Sequence, residues 1–213
     1  MTRLLLVPCL FALILVGAAS SARADSVTLV SIGTNTFQGT SAGPYSGLLN
    51  SEPISMICLS FNRHVAVGQT WNVAVNLLDA SGVANALYGG QADALLKYQR
   101  AAWLYDQLTA APNQASAIQG AIWNIFHSRT PDTAASIQWF SAAMNANLTG
   151  YDFSRFRILT PTDTSKHGPQ EMMTAVPEPM TMLLLGSGLL GVAAKVRKHR
   201  RRNNAGVPEP TEV

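Results

Sequence analysis

The hydrophobic period of this chain lengthens at Gly89-Gly90, and that switch restricts the fold more than any other feature. Before it, apolar residues recur every second position. In "WNVAVNL", Trp71, Val73, Val75 and Leu77 alternate with smaller or polar residues, the period of a half-buried strand. "SVTLVSI" (Ser26 to Ile32) and "ISMICLSF" (Ile54 to Phe61) are also rich in β-formers, with a Gly, Ser and Pro loop between them. After the glycines the period lengthens. "ADALLKYQRAAWLYDQL" (Ala92 to Leu108) brings Leu95, Leu96, Ala102, Trp103 and Leu104 towards one side. Pro112 and Asn113 open a second helix, with Asn113 as its cap and Ile118, Ile122, Ile125 and Phe126 on one face. "TAASIQWFSAAMNANL" predicts a third helix after Pro131 and Asp132, and "RFRIL" (Arg155 to Leu159) a closing strand. Segregated strands and helices read as α+β: an antiparallel β-sandwich or barrel-like sheet with an insertion of about three helices.

Both ends carry targeting signals. Residues 1–24 have a basic start at Arg3, an apolar stretch from Leu4 and the small-x-small ending Ala22-Arg23-Ala24, the pattern of a secretory signal peptide cut before Asp25. Cys9 lies inside that stretch and leaves with it. At the other end, fifteen uncharged residues, Met180 to Ala194, precede six cations between Lys195 and Arg202. Fifteen is short of the roughly 20 that a spanning helix needs, but Lys195 and Arg197 can snorkel. Residues 180–194 are therefore read as a transmembrane segment with its basic end in the cytoplasm and everything before Pro177 outside. Gly186-Ser187-Gly188-Leu189-Leu190-Gly191 has dinucleotide-loop spacing, but inside an apolar stretch such small residues are packing positions.

Pro177-Glu178-Pro179, the apolar segment and the arginine-rich end together resemble the PEP-CTERM sorting tag of exopolysaccharide-producing Gram-negative bacteria. The resemblance implies that residues 177–202 are handled by an exosortase, a membrane enzyme similar to a transpeptidase, after a transient stay in the inner membrane. The prolines suit that role by holding the chain extended above the membrane. Residues 203–213 are read as a disordered tail; they repeat Val207-Pro208-Glu209-Pro210 with no apolar segment behind it.

Between the ends, residues 25–160 read as one domain and the polar stretch 161–176 as a linker. Asp25 to Val176 holds seven Lys and Arg against nine Asp and Glu, so the chain's positive charge belongs to its ends and no nucleic-acid partner is expected. His64, His127, His167 and His199 have no ligand spacing, and neither a metal nor a cofactor is expected.

An exported chain that loses Cys9 keeps only Cys58. Such a thiol is buried and inert, paired between chains, or chemically employed. Gln119 raises a matching question, because it sits beside the apolar face of its helix, either solvated or bonded elsewhere. Cys58, then Ala101-Ala102-Trp103-Leu104, then Gln119-x-Ala121-Ile122-Trp123 resemble the thioester domains of bacterial surface proteins, in which a strand cysteine is joined to the glutamine of a QxAIW helix. The resemblance implies an internal Cys58–Gln119 thioester. That family's cysteine is commonly preceded by an aromatic residue and followed two positions later by an acid, whereas here the run is Met56-Ile57-Cys58-Leu59-Ser60. Trp103, Ile122 and Trp123 have a core-packing explanation that needs no chemistry. His64 and His127 are candidates for proton transfer, although a lone histidine is more often a surface or hydrogen-bonded residue.

Three functions follow. The first is a covalent adhesin at the cell surface or in the extracellular matrix, capturing amine or hydroxyl groups on surface or exopolysaccharide partners. The second is a noncovalent structural protein of that matrix. The third, a hydrolase using Cys58, lacks a recognisable histidine and acid arrangement, so the chain is expected not to be an enzyme.

Overall fold

The computed structural model describes residues 24–127 and 132–176. Along the chain run β1 (Asp25–Ser31), β2 (Thr36–Phe37), β3 (Thr40–Ser41), β4 (Tyr45–Leu49), β5 (Glu52–Cys58) and β6 (Thr70–Leu77). Four helices follow: α1 (Ala80–Ala84), α2 (Ala94–Ala110), α3 (Ala115–Phe126) and α4 (Ala134–Asn145), with a 3-10 turn, Pro112–Gln114, before α3. β7 (Phe156–Pro161) and β8 (Met172–Ala175) complete the sheet. Six strands close into a barrel in the order β1-β4-β5-β8-β7-β6, with every neighbouring pair antiparallel, while β2 and β3 form a separate hairpin.

Alternation along the strands divides the buried residues into two cores. Val27, Leu29, Met56, Cys58, Trp71, Val73, Leu159 and Met172 fill the barrel. Their neighbours Ile57, Phe156, Ile158 and Met173 face outward and are covered by α2, α3 and α4. Met56–Cys58 at the end of β5 and most of β7 and β8 are thus buried on both faces. α3 serves both cores. Ile118, Ile122 and Ile125 pack in the helical layer, whereas Trp123, one turn beyond Gln119, reaches the barrel cluster.

Two glycines make the close approaches possible. A Cβ on Gly47 would stand 2.5 Å from Met56 Cε and 2.9 Å from Thr28 O. One on Gly120 would collide with the Phe37 ring, which lies edge-on to Trp123 at 6.1 Å between centroids. Phe37 closes this side of the barrel cluster, at 3 % exposure.

Several expectations need correction. Of the sandwich and barrel alternatives, the sheet is a closed barrel. Four helices occupy the described insertion; α1 is a short addition capped by Asp79, whose side chain accepts from Gly82 N at 2.8 Å. The supposed loop between the first two strands contains β2, β3 and β4. β4 turns into β5 through Asn50 and Ser51, both left-handed (φ 52° and 74°) as a two-residue hairpin with primed geometry requires. Asn113 does not cap α3, which starts at Ala115 behind the 3-10 turn. α4 is capped instead by a reciprocal Thr133–Ser136 box. Most consequentially, residues 161–176 are not a linker. They supply β8, paired with both β5 and β7, and without it the barrel would be open. Among the described residues no helix is long and apolar enough to cross a membrane, and the candidate span 180–194, the sorting residues Pro177, Glu178 and Pro179, and the tail 203–213 lie outside them.

Candidate functional site

The β4–β5 ladder ends at Tyr45↔Met56, so Cys58, two residues further along β5, has no strand partner on the β4 side. Gln119 takes that place. Its Nε2 donates to Cys58 O at 2.7 Å, and Cys58 N donates to its Oε1 at 3.4 Å, so the carboxamide stands where the next peptide unit of a neighbouring strand would be. Gly43 makes room: a Cβ there would lie 2.8 Å from Gln119 Oε1. Cys58 is fully buried and Gln119 is 1 % exposed, so the amide at the edge of a helical face is core, not solvent-facing. The two site residues suggested by the sequence are therefore brought together across 61 positions of chain.

The surroundings of the thiol are mainly apolar. Phe37 and Phe61 both approach Trp123 edge-on, Phe61 at 5.1 Å between centroids, and Met56 and Tyr45 belong to the same cluster. Burial pushes the Cys58 thiol up to about 12, partly offset by the Trp123 indole and by the backbone of Ser60, whose carbonyl accepts from Sγ at 3.3 Å. The indole N–H is near enough to favour the thiolate, yet it makes no hydrogen bond of ordinary geometry and remains a buried unsatisfied donor. Packing alone therefore accounts for Ile122 but leaves the Trp123 nitrogen unexplained.

A polar cluster sits just past the end of β5. Ser60 Oγ accepts from Tyr88 Oη at 2.8 Å and from Glu171 N at 3.1 Å. His127 Nε2 lies 3.1 Å from Tyr88 Oη and accepts from Phe61 N at 3.3 Å; burial lowers its pKa, which favours the neutral ring. His64 is exposed and has no part in this cluster. Glu171 is fully buried. Its carboxylate accepts from Tyr98 Oη at 2.5 Å, and from Leu87 N and Thr160 Oγ1 at 2.7 Å each. Desolvation nonetheless raises its pKa, against the lowering effect of those three donors and of Arg63.

Sequence reasoning missed Glu171. Ser60 occupies the position where an acid was expected, and the buried acid beside it comes instead from the residue preceding β8, 111 positions away. The only local signal was Met172-Met173, two apolar residues directly after Glu171 in a stretch that otherwise reads as polar. Among the described residues no cluster of His, Cys, Asp or Glu has the arrangement of a metal site.

Residues 175–198 match the family model of the PEP-CTERM protein-sorting motif. The match begins inside β8, at Ala175. No curated protein and no solved structure matches the chain. The chain thus carries a PEP-CTERM sorting motif, the mark of an exported protein that passes through a membrane-anchored intermediate and is sorted by an exosortase system.

Proposed function

We propose that this exported domain is a covalent adhesin in which Cys58 and Gln119 form an internal thioester. The observation that carries the reading is the Gln119 carboxamide held on the backbone of Cys58 in a site closed to water. In forming the bond, Cys58 Sγ attacks Gln119 Cδ, the C–N bond breaks, and the amide nitrogen leaves as ammonia with the thiol proton. A surface or matrix amine then attacks the same carbon, giving an amide on Gln119 and returning the thiol to Cys58; a hydroxyl would give an ester. Burial protects the stored acyl group from hydrolysis. The Cys58 N–H, 3.4 Å from Gln119 Oε1, is aimed at the oxygen that becomes negative during attack, and the unsatisfied Trp123 N–H, which favours the Cys58 thiolate, would support the attacking sulfur. Glu171 and Ser60, bonded to each other beyond Cys58, fix the end of β5.

A noncovalent matrix protein is the second reading, and a specific observation favours it. Gln119 already satisfies two backbone groups of Cys58, and a thiol raised to about 12 is a poor source of thiolate. A hydrolase is the weakest reading, because the Cys58 thiol donates to Ser60 O, a carbonyl that cannot serve as the general base of a catalytic pair. Methylamine labelling separates the readings: in a thioester protein it adds to Gln119 and frees one titratable thiol, whereas the noncovalent protein takes up none. Turnover of an ester or amide dependent on Cys58 would support the enzyme instead.

A further inference from the structure

Six antiparallel strands that close on themselves place both chain ends on one rim. β1, β5 and β7 start there, and β4, β6 and β8 end there. Asp25, the first residue after the expected signal-peptide junction, and Ala175, the first residue of the sorting motif, therefore leave from the same end of the barrel, on strands that face each other across it. The opposite rim is where β5 ends at Cys58, opposite Met172 at the start of β8.

The tether from the first rim is short. Val176 is still fixed to the barrel through its N–H, which donates to Arg155 O at 2.8 Å. Between Val176 and the first residue of the uncharged stretch, Met180, lie only Pro177, Glu178 and Pro179. Three residues reach at most about 11 Å even when fully extended. A strand of the length of β7, six residues, spans about 20 Å. The rim itself carries Asp25, Asn50, Glu52 and Arg157, side chains compatible with a polar headgroup layer.

We propose that in the membrane-anchored form the Asp25/Val176 rim is the surface that faces the phospholipid headgroups, and that the Cys58 rim points away from the bilayer. The fold thereby presents the end that holds Cys58 and Gln119 to the exterior before the domain is released. This orientation rests on the anchored reading of residues 180–194 and is independent of whether the thioester forms.

The test uses the mature chain from Asp25 to Val213 with Cys58→Ala, reconstituted in phosphatidylethanolamine and phosphatidylglycerol vesicles with acceptor-labelled headgroups. A donor dye is placed at Glu52→Cys, on the tethered rim, or at Val67→Cys, which is 55 % exposed on the β5–β6 loop of the opposite rim. Energy transfer is expected to be several-fold stronger from position 52. The difference should disappear when a Gly/Ser spacer several times longer than Pro177–Pro179 is inserted after Val176. Equal transfer from both positions, or stronger transfer from position 67, would overturn the orientation. Failure of the chain to float with vesicles would overturn the anchored reading, and the orientation with it, while leaving the thioester reading untouched because Cys58 is absent from these variants.

Discussion

Replacing Cys58 with alanine separates the covalent from the noncovalent reading by energy. Cys58 and Gln119 are 61 residues apart, so a bond between them closes a loop of about that length. The chain-entropy account gives such a cross-link roughly 4 kcal/mol of stability. Against this stands the 2.7 Å bond from Gln119 Nε2 to Cys58 O, which is lost when the nitrogen leaves as ammonia; a hydrogen bond of that kind contributes about 1 kcal/mol. The net cross-link term is about 3 kcal/mol, and the small cavity left by the sulfur adds about 1 kcal/mol to the loss in the alanine variant. Cys58→Ala is then expected to cost about 4 kcal/mol if the bond exists and about 1 kcal/mol if it does not. At roughly 2–4 °C per kcal/mol for a domain of this size, the two cases differ by about 6–12 °C in Tm. Thermal unfolding and denaturant midpoints of the Asp25–Val176 domain, with and without the substitution, provide the assay. A loss of only about 1 kcal/mol, in protein never exposed to amines, would refute the cross-link.

Three further substitutions probe the site. Gly43→Ala places a Cβ 2.8 Å from Gln119 Oε1; it is expected to displace the carboxamide, lower stability by about 1–3 kcal/mol, and abolish methylamine uptake measured by mass. Trp123→Phe removes an unsatisfied buried donor but leaves a cavity beside Phe37 and Phe61, so stability should fall by about 1–3 kcal/mol, while recovery of the bonded form from the folded fraction should fall sharply. Glu171 gives a pH signature. Its folded-state pKa is raised, so between the ordinary glutamate value and the raised one the native state holds a proton that the unfolded chain has released. Stability should therefore decline as pH rises through that window, with the penalty complete above the raised value. Glu171→Gln should flatten the decline in denaturant midpoints; a profile identical to the parent protein would exclude Glu171 as its source.

The legible parts of the fold were those with a clean period. β6 and the three longer helices follow directly from apolar spacing, and Cys58 and Gln119 were identifiable as a pair through the QxAIW run. What escaped depended on contacts distant in sequence. β4 is interrupted by Gly47, which is required by Met56 from the next strand, so its "YSGLL" reads as loop. The Asn50-Ser51 turn lacks the glycine that usually announces such a hairpin; Asn50 instead bonds Ser26 N and Asp25 on β1. β8 is four residues long and follows a polar stretch, and its strand character exists only because β5 and β7 offer it two edges. Glu171 was hidden for the same reason: the barrel's closure carries it next to Ser60.

The intact mass of the purified domain tests the central claim most directly. A thioester predicts a deficit of one ammonia against the sequence mass, absent in both Cys58→Ala and Gln119→Ala, together with a Cys58 thiol that stays untitratable until methylamine or unfolding in mild base releases it. The full sequence mass, with a Cys58 thiol that titrates stoichiometrically on neutral unfolding in protein never exposed to amines, would contradict the covalent mechanism and leave the noncovalent matrix protein in its place.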